Sequence, residues 1–322
     1  MKLIKKIAGA ALTACAVASG AACAAFPDKP VTIVVPYPAG GATDVIARLI
    51  AEKLPAVWNQ PVVVRNQPGA GTTVAAEALS RAEGDGYTLY FTTAAHTISA
   101  SLYKKLKYDP IKDFAPITLV STIPLVLVTT PSLPATNLSG LIGDIKKSKE
   151  GMTLASTGNG TPQHLTGELF KSKQGLELVH IPYRGDAPMI TDLIGGQVQM
   201  AFITLSAAVS NIQAGKLKPI ALAHATRVKA IADVPTFAEA GMPGFEAATW
   251  FGLFAPASMP QALRQKIYQD VSKIVAEPAM TQRLVAMGGE VNNSSPQEFQ
   301  AFIDKEARNW AEAVKISGAS VD

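Results

Sequence analysis

Loops that contain glycine follow several strand-like apolar runs of this 322-residue chain. The first loop, Tyr37-Pro-Ala-Gly-Gly41, lies between an apolar run and a helical pattern. A helix that begins directly after such a loop directs unpaired main-chain N–H groups at the space beyond the strand, and these groups favour anions. Glycine also lets the backbone approach a ligand closely. The loop Tyr37–Gly41, followed by Thr43 and Asp44, is therefore a candidate anion-binding site made of main-chain N–H groups.

A purely structural interpretation of the same loop is open as well. Thr43 or Asp44 could be the N-cap of the helix, and Asp44 could pair with Arg48 one turn later. The two interpretations are compatible, because a cap stabilises the helix end that presents the N–H groups. The loop lacks the Gly-Lys-Ser/Thr of a nucleotide-binding P-loop and the glycine spacing of a dinucleotide site.

The segment Ser156–His164 repeats this arrangement. Pro162 suits the first helical turn and Thr161 suits the N-cap position. Side chains and main-chain N–H groups of this segment could bind a carboxylate opposite the first loop. The alternative is a well-capped helix with a solvent-facing histidine. The candidate ligand-binding groups here are Ser156, Thr161 and the main-chain N–H groups of Gly158 and Gly160.

Further polar side chains follow other strand-like runs. Tyr183 could cover a ligand, and Arg184 could offer a charge-assisted pair of hydrogen bonds. Thr93 and Thr204 are candidate hydroxyl donors, each at the end of an apolar run. An arginine that follows a strand is also common on protein surfaces, so this alternative stays open.

Catalytic interpretations find little support in the sequence. The four histidines have no metal-ligand spacing, and no G-x-S-x-G segment is present. Ser156 and His164 could form a nucleophile–base pair, but a loop serine and a histidine at a helix start are more typical of capping and binding. The sequence therefore predicts no catalytic residue, no metal site and no cofactor, and a protein that is not an enzyme.

The elements that must position these loops alternate between strand and helix. Strands at Val31–Val35, Val62–Arg65 and Thr88–Thr93, separated by helical patterns, predict an α/β fold with a parallel sheet. The first helix is predicted at Asp44–Val57 and the last at Pro296–Ser317. The run Ile117–Thr130 is interrupted by Pro124, which predicts either two strands or a crossing between domains. The alternation then restarts, and Thr249–Pro256 suits a return crossing. Two lobes with a ligand cleft between them follow, with binding expected beyond the strand ends.

The N-terminal segment has the pattern of a secretory signal peptide, residues 1–24. Three lysines precede an apolar stretch, and Ala22-Cys-Ala24 resembles a cleavage site. Without those lysines the formal charge of +4 falls to about +1, so no nucleic acid partner is indicated. Both cysteines, Cys15 and Cys23, lie in this segment. The predicted location is the periplasm, with a lipoprotein form as a minor alternative.

An ordered series of motifs along the chain resembles the Bug family, the extracytoplasmic solute receptors of tripartite tricarboxylate transporters. The series covers essentially all of the chain after the signal segment. It comprises Phe26-Pro-x-Lys-Pro-Val31, the Tyr37–Asp44 loop, Asn66-Gln-Pro-Gly-Ala-Gly71, Gly84-Asp-Gly-Tyr-Thr-Leu89, Thr161–Phe170, Pro182-Tyr-Arg-Gly185, Asp233–Gly244 and Thr249–Pro256.

The resemblance implies a two-lobed periplasmic-binding-protein fold of the second type that closes on its ligand. Residues 25–126 and 247–322 would form lobe 1, and residues 127–246 would form lobe 2. It implies a small carboxylate as ligand, permease subunits of a tripartite tricarboxylate transporter as membrane partners, and a monomer. The resemblance also assigns ligand contacts to Tyr37, Ala39, Gly40 and Gly41 in one lobe and to Ser156, Gly158, Gly160, Thr161, His164 and Tyr183 in the other. A receptor that reports to a membrane signalling protein is the alternative, and a periplasmic enzyme is a distant third.

One position bears on the class of ligand. Some members of the family carry an acidic residue where this chain has Thr204. The pocket would then lack an acidic partner for a ligand ammonium group. The sequence therefore favours a carboxylic acid without an amino group.

Overall fold

A computed structural model describes residues 26–148, 151–319 and 321. The predicted signal segment, the lipoprotein alternative and both cysteines lie outside the described residues. Ten strands are described: β1 (Val31–Val35), β2 (Val62–Asn66), β3 (Thr88–Thr93), β4 (Phe114–Thr129), β5 (Met152–Ser156), β6 (Leu178–Pro182), β7 (Met200–Thr204), β8 (Lys218–Leu222), β9 (Ala248–Pro256) and β10 (Glu290–Val291).

Helices follow most of these strands and cover both faces of the sheet. Short 3-10 turns lie at Ala70–Thr72 and Lys229–Ile231. The helices are α1 (Ala42–Lys53), α2 (Pro55–Trp58), α3 (Thr73–Ser80), α4 (Ala95–Leu102), α5 (Leu138–Lys147), α6 (Pro162–Gln174), α7 (Asp186–Ile194), α8 (Leu205–Gln213), α9 (Gln261–Val275), α10 (Pro278–Ala286) and α11 (Pro296–Ser317).

The described strands form one curved, mixed sheet in the order β2-β1-β3-β9-β4-β7-β5-β6, with β8 and β10 paired to β4. The pairs β1–β2 and β1–β3 are parallel, and so are β5–β6 and β5–β7. The predicted α/β fold is confirmed, and the parallel pairs lie where the sequence alternates strictly between strand and helix. The long β4 and β9 introduce antiparallel pairing at the centre of the sheet.

The apolar run around Pro124 is one continuous strand, β4, and not two. Up to Pro124 it pairs with β9, in a register that runs from Phe114 opposite Pro256 to Pro124 opposite Ala248. From Leu125 onwards it pairs with β7 and, from Val126, with β8. Pro124 therefore marks a change of pairing partner within the strand.

Helix α11 shows how the sequence fixes one of the covering helices. Ser295 and Glu298 form a reciprocal capping box at its start, and Pro296 occupies the first turn. The helix packs Phe299 against Trp250 and Phe254 of β9. Gly252, between them on the strand, allows this contact, because a Cβ there would lie 2.3 Å from the Phe299 ring.

Candidate functional site

Helix α1 begins earlier than the sequence indicated, and this changes the role of Asp44. Gly41 is the N-cap, in extended conformation, and neither Thr43 nor Asp44 caps the helix. Gly40 precedes it with φ of +90°, in the left-handed region that glycine adopts without strain. The expected capping by Thr43 or Asp44 is wrong, because the two glycines let the helix start at Ala42.

Asp44 instead holds the loop from inside the first turn. Its carboxylate accepts the Gly40 N–H at 3.0 Å, the Arg48 Nε–H at 2.9 Å and the Asn66 Nδ2–H at 2.8 Å. Burial opposes ionisation of this carboxyl, but the hydrogen bonds from Arg48, Gly40 and Asn66 outweigh burial and hold its pKa below the usual value. The predicted Asp44–Arg48 pair is present. The Gly40 N–H is consequently engaged within the loop and points at Asp44.

The start of α6 carries the predicted cap. Thr161 is the N-cap and accepts the His164 main-chain N–H at 3.3 Å, and Pro162 follows in the first turn. His164 is buried, not solvent-facing, and its Nδ1 accepts the Gly160 N–H at 3.2 Å. The His164 ring stacks on His180 at 4.2 Å, and His180 Nε2 lies 2.7 Å from Ser156 Oγ. Burial lowers the pKa of each histidine to about 4, so both rings are neutral at pH 7.

Helix α7 supplies a group that the sequence did not single out. Its first residue is Asp186, which follows Gly185 directly. A Cβ placed on Gly41 would lie 3.1 Å from Asp186 Oδ2, so the two helix starts, α1 and α7, face each other at close range. The Ala42 N–H at the start of α1 is directed at the Asp186 carboxyl. Burial nevertheless raises the pKa of Asp186 to about 6, against the opposing effect of that N–H.

These helix starts enclose a narrow cavity in which hydroxyl groups predominate. It leaves about 20 Å³ for the centres of water-sized spheres, which is room for one or two water molecules. The Tyr37 hydroxyl lies 2.8 Å from Thr93 Oγ1, and Gln163 Nε2 donates to Thr204 Oγ1 at 3.0 Å. Burial raises the pKa of Tyr37 well above its usual value, so its hydroxyl stays protonated. Its polar and charged lining residues are Tyr37, Thr43, Thr93, Thr157, Gln163, Arg184, Asp186, Thr204 and Thr249.

The structure brings together about half of the predicted site residues around this central cavity. Gly158, Thr161 and Tyr183 line a neighbouring cavity of about 320 Å³, which shares Tyr37 and Arg184 with the central one. Gly40 lines a third cavity, and Ser156, Gly160 and His164 line none of the three. The predicted residues at the central cavity are Tyr37, Ala39, Gly41, Thr93, Arg184 and Thr204.

Five polar residues of the central cavity are absent from the predicted ligand-binding residues: Thr43, Thr157, Gln163, Asp186 and Thr249. Asp186 had a usable signal, since it directly follows Tyr183-Arg-Gly185 after a strand-like run and opens a helical pattern. Gln163 had a weaker sequence signal, since it occupies the second position of a helix that follows a glycine loop. The expected lack of an acidic partner in the pocket is wrong, because Asp186 supplies a carboxyl from α7 even though β7 ends in Thr204.

Other kinds of site find no support in the part of the chain that the structure describes. Residues 26–148, 151–319 and 321 contain no group of three histidine, cysteine, aspartate or glutamate side chains arranged to hold a metal ion. Over the same residues, no helix combines the length and apolar character needed to span a membrane.

Comparison with known proteins identifies one family of receptors, both from the sequence and from the fold. The family model described as tripartite tricarboxylate transporter family receptor matches residues 46–318. The fold is similar to that of the periplasmic binding protein BugD, with a TM-score of 0.88 and 34% identity over 92% of this chain and 99% of that one.

Two further similar structures hold named ligands. Rpa4515 of R. palustris, with adipate, has a TM-score of 0.88 and 33% identity over 92% of this chain and 99% of the other. MatC of Rhodopseudomonas palustris, with bound malate, has a TM-score of 0.86 and 31% identity over 90% of this chain and 100% of the other.

Proposed function

We propose, from the premise that this chain belongs to the tripartite tricarboxylate transporter receptor family, that it captures a small carboxylate in its central cavity and presents it to a membrane transporter of that type. The family is one of periplasmic solute-binding receptors. The periplasm is accordingly the proposed location, and the permease subunits of the transporter are the proposed partners. Binding, without turnover, is the proposed activity.

The observation that carries this proposal is the convergence of helix starts and hydroxyl groups on one enclosed cavity. Main-chain N–H groups at the start of α1 and hydroxyl groups of Tyr37, Thr93 and Thr204 are donors suited to a carboxylate. Such donors bind an anion without a buried lysine, directly or through water. Arg184 is the basic side chain that lines the central cavity among the described residues, and its guanidinium can add a charge-assisted hydrogen bond.

The ligands of similar structures support a small organic acid. The adipate of Rpa4515 and the malate of MatC both carry two carboxylates on a short carbon chain. The central cavity is too small for either molecule as it stands, because it has room for only one or two waters. Binding here therefore requires the two sides of the cavity to separate and close again, as in hinged receptors.

The proposed division into lobes assigns residues 25–126 and 247–322 to lobe 1 and residues 127–246 to lobe 2. The change of pairing partner along β4 supports this boundary. The central cavity then lies between α1 of lobe 1 and α7 of lobe 2. We propose a monomeric receptor, as is usual for receptors that close on a small ligand.

The proposal is tested by titrating the purified protein calorimetrically with a panel of short mono- and dicarboxylates that includes malate and adipate. At least one should bind at micromolar or lower concentration. Thr204→Val should weaken binding of that acid about tenfold, because one hydrogen bond is lost and Gln163 Nε2 loses its acceptor. Thr226→Val, the same change at an exposed position, is the control and should bind like the wild type.

Two outcomes would contradict the proposal. One is a panel in which no carboxylate binds, and the other is equal weakening by both threonine substitutions. A product released from any bound acid would instead support an enzyme.

A further inference from the structure

The Asp186 carboxyl is an unusual component for a cavity that is to hold an anion. Its Oδ1 is buried and has no hydrogen-bond partner. Its Oδ2 lies against Gly41, with the Ala42 N–H directed at the carboxyl. A buried carboxylate oxygen without a donor is costly, so a donor supplied by whatever enters the cavity would stabilise this atom.

The charges around the cavity are also limited in number. Within residues 26–148, 151–319 and 321, two charged side chains line it, Arg184 and Asp186. No ion pair joins Asp186 to a basic residue within the described part of the chain. A carboxylate placed among the hydroxyl groups and helix starts would lie close to the Asp186 charge. Like charges at such range disfavour each other strongly in a cavity shielded from water.

A ligand can relieve both problems if it brings its own positive charge. A protonated nitrogen next to the ligand carboxylate would donate to Asp186 Oδ1 and offset the repulsion between the two carboxylates. The ligand carboxylate would then take the Gly41 and Thr43 N–H groups, the hydroxyl groups of the cavity and Arg184. Arg184 would thus face the carboxylate of the ligand, and Asp186 would face its protonated nitrogen.

We propose that this receptor takes a zwitterionic carboxylate, one that carries an ammonium group close to its carboxylate, and that Asp186 is the residue that selects it. The inference rests on the proposed function, because it names the ligand class of the same cavity. It replaces the preference for acids without an amino group, whose premise was a pocket lacking an acidic side chain.

The test uses matched acids that differ at one carbon. Succinate, malate and aspartate share a four-carbon diacid skeleton and carry a hydrogen, a hydroxyl or an ammonium group at C2. Propionate, lactate and alanine form the corresponding three-carbon series. The wild type is titrated calorimetrically at pH 7.5 with all six acids. In the series that fits the cavity, the amino acid (aspartate or alanine) should bind at least tenfold more tightly than the unsubstituted acid (succinate or propionate).

Asp186→Asn keeps the size of the side chain and removes its charge. It should weaken binding of the amino acid at least tenfold and change the affinity for the unsubstituted acid less than threefold or improve it. Asp186→Ser is a second variant with the same expected order of affinities. Asp233→Asn removes one charge from an exposed position away from the cavity and should leave all affinities unchanged. Circular dichroism confirms that each variant is folded.

The outcomes separate this inference from the proposed function. If unsubstituted or hydroxyl acids bind and the amino members do not, the receptor function stands and the zwitterion inference is overturned. It is also overturned if Asp186→Asn leaves the order of affinities as in the wild type. If no carboxylate of any kind binds, the proposed function itself fails.

Discussion

Asp186 combines burial with an ionisable group, and this gives it a measurable effect on stability as well as on ligand choice. Burial raises its pKa from 3.8 to about 6 in the folded protein, so the folded state binds the proton more tightly than the unfolded chain does. Stability therefore falls as the pH rises from about 4 to about 6, and the penalty is constant above that window. The other ionisable side chains that line the cavities at Asp186 are Tyr37, Arg184 and Arg283.

We predict that Asp186→Asn raises the free energy of unfolding at pH 8, without added ligand, by about 1–3 kcal/mol. The gain should shrink as the pH falls below 6 and be small at pH 4, because the wild-type carboxyl is then protonated in the folded state and about half protonated in the unfolded chain. Urea unfolding at pH 4, 5, 6, 7 and 8 measures it, with Asp233→Asn as the control. A gain of the same size at every pH would show that charge burial is not its cause.

The proposed binding residues illustrate what local sequence can and cannot predict at this scale. The loop Tyr37–Gly41 was identifiable as a candidate because a glycine-containing loop between a strand and a helix is typical of anion-binding sites. The role of the Gly40 N–H was not, because it depends on Asn66 and Arg48 holding Asp44 in position. The place of Asp186 depends on α7 facing α1 across two different parts of the chain, and local sequence carries no information on that.

At the scale of elements, the close contact between α11 and β9 depends on the absence of a Cβ at Gly252. Gly252 of β9 lies beneath the Phe299 ring, and a Cβ would come within 2.3 Å of it. Phe299 is fully buried and also contacts Trp250, so it has little freedom to move aside. The close approach of the strand and the helix therefore requires glycine at this position.

We predict that Gly252→Ala lowers the free energy of unfolding by about 1–3 kcal/mol, as expected for overpacking in a well-packed core. Gly143→Ala is the matched control, since Gly143 lies within α5 and no atom would come within 4 Å of an added Cβ. The control should raise stability by about 0.5–1 kcal/mol through helix propensity. Chemical unfolding compares them, and equal effects from the two substitutions would argue against the packing explanation.

Most elements were predictable because their patterns are long and strongly periodic. Helix α11 was expected at Pro296–Ser317 and has those bounds. The start of α1 was missed by two residues, since glycine in a loop and glycine at an N-cap look alike in sequence. The continuity of β4 through Pro124 was also not decided, because it depends on β9 and β7 pairing with successive parts of the strand.

At the scale of the whole molecule, the narrow central cavity implies that ligand entry needs a change of shape. The strands β2 and β6 lie at opposite ends of the sheet, so probes near them report on the angle between the two proposed lobes. Val57 of α2, Val63 of β2 and Val179 of β6 are all exposed and suit labelling through substituted cysteines.

We predict that spin labels at Val57→Cys and Val179→Cys show a distance distribution that narrows and shifts when a binding carboxylate is added. The labels at Val57→Cys and Val63→Cys are the control, because both lie in proposed lobe 1, and their distances should not change. Double electron–electron resonance on chains without residues 1–24 avoids labelling Cys15 and Cys23. Identical distributions with and without ligand would contradict a hinged receptor.

The position of β9 in the sheet has a consequence for how the chain folds. It lies between β3 and β4, although Ala248–Pro256 follows both by more than a hundred residues. The sheet around β3 consequently stays incomplete until the chain beyond Pro256 is available, and pairings between such distant segments form slowly. For a chain exported N-terminus first, this order delays stable folding of the early strands until most of the protein has crossed the membrane. The strand order would thus keep the nascent receptor in a state that can still be translocated.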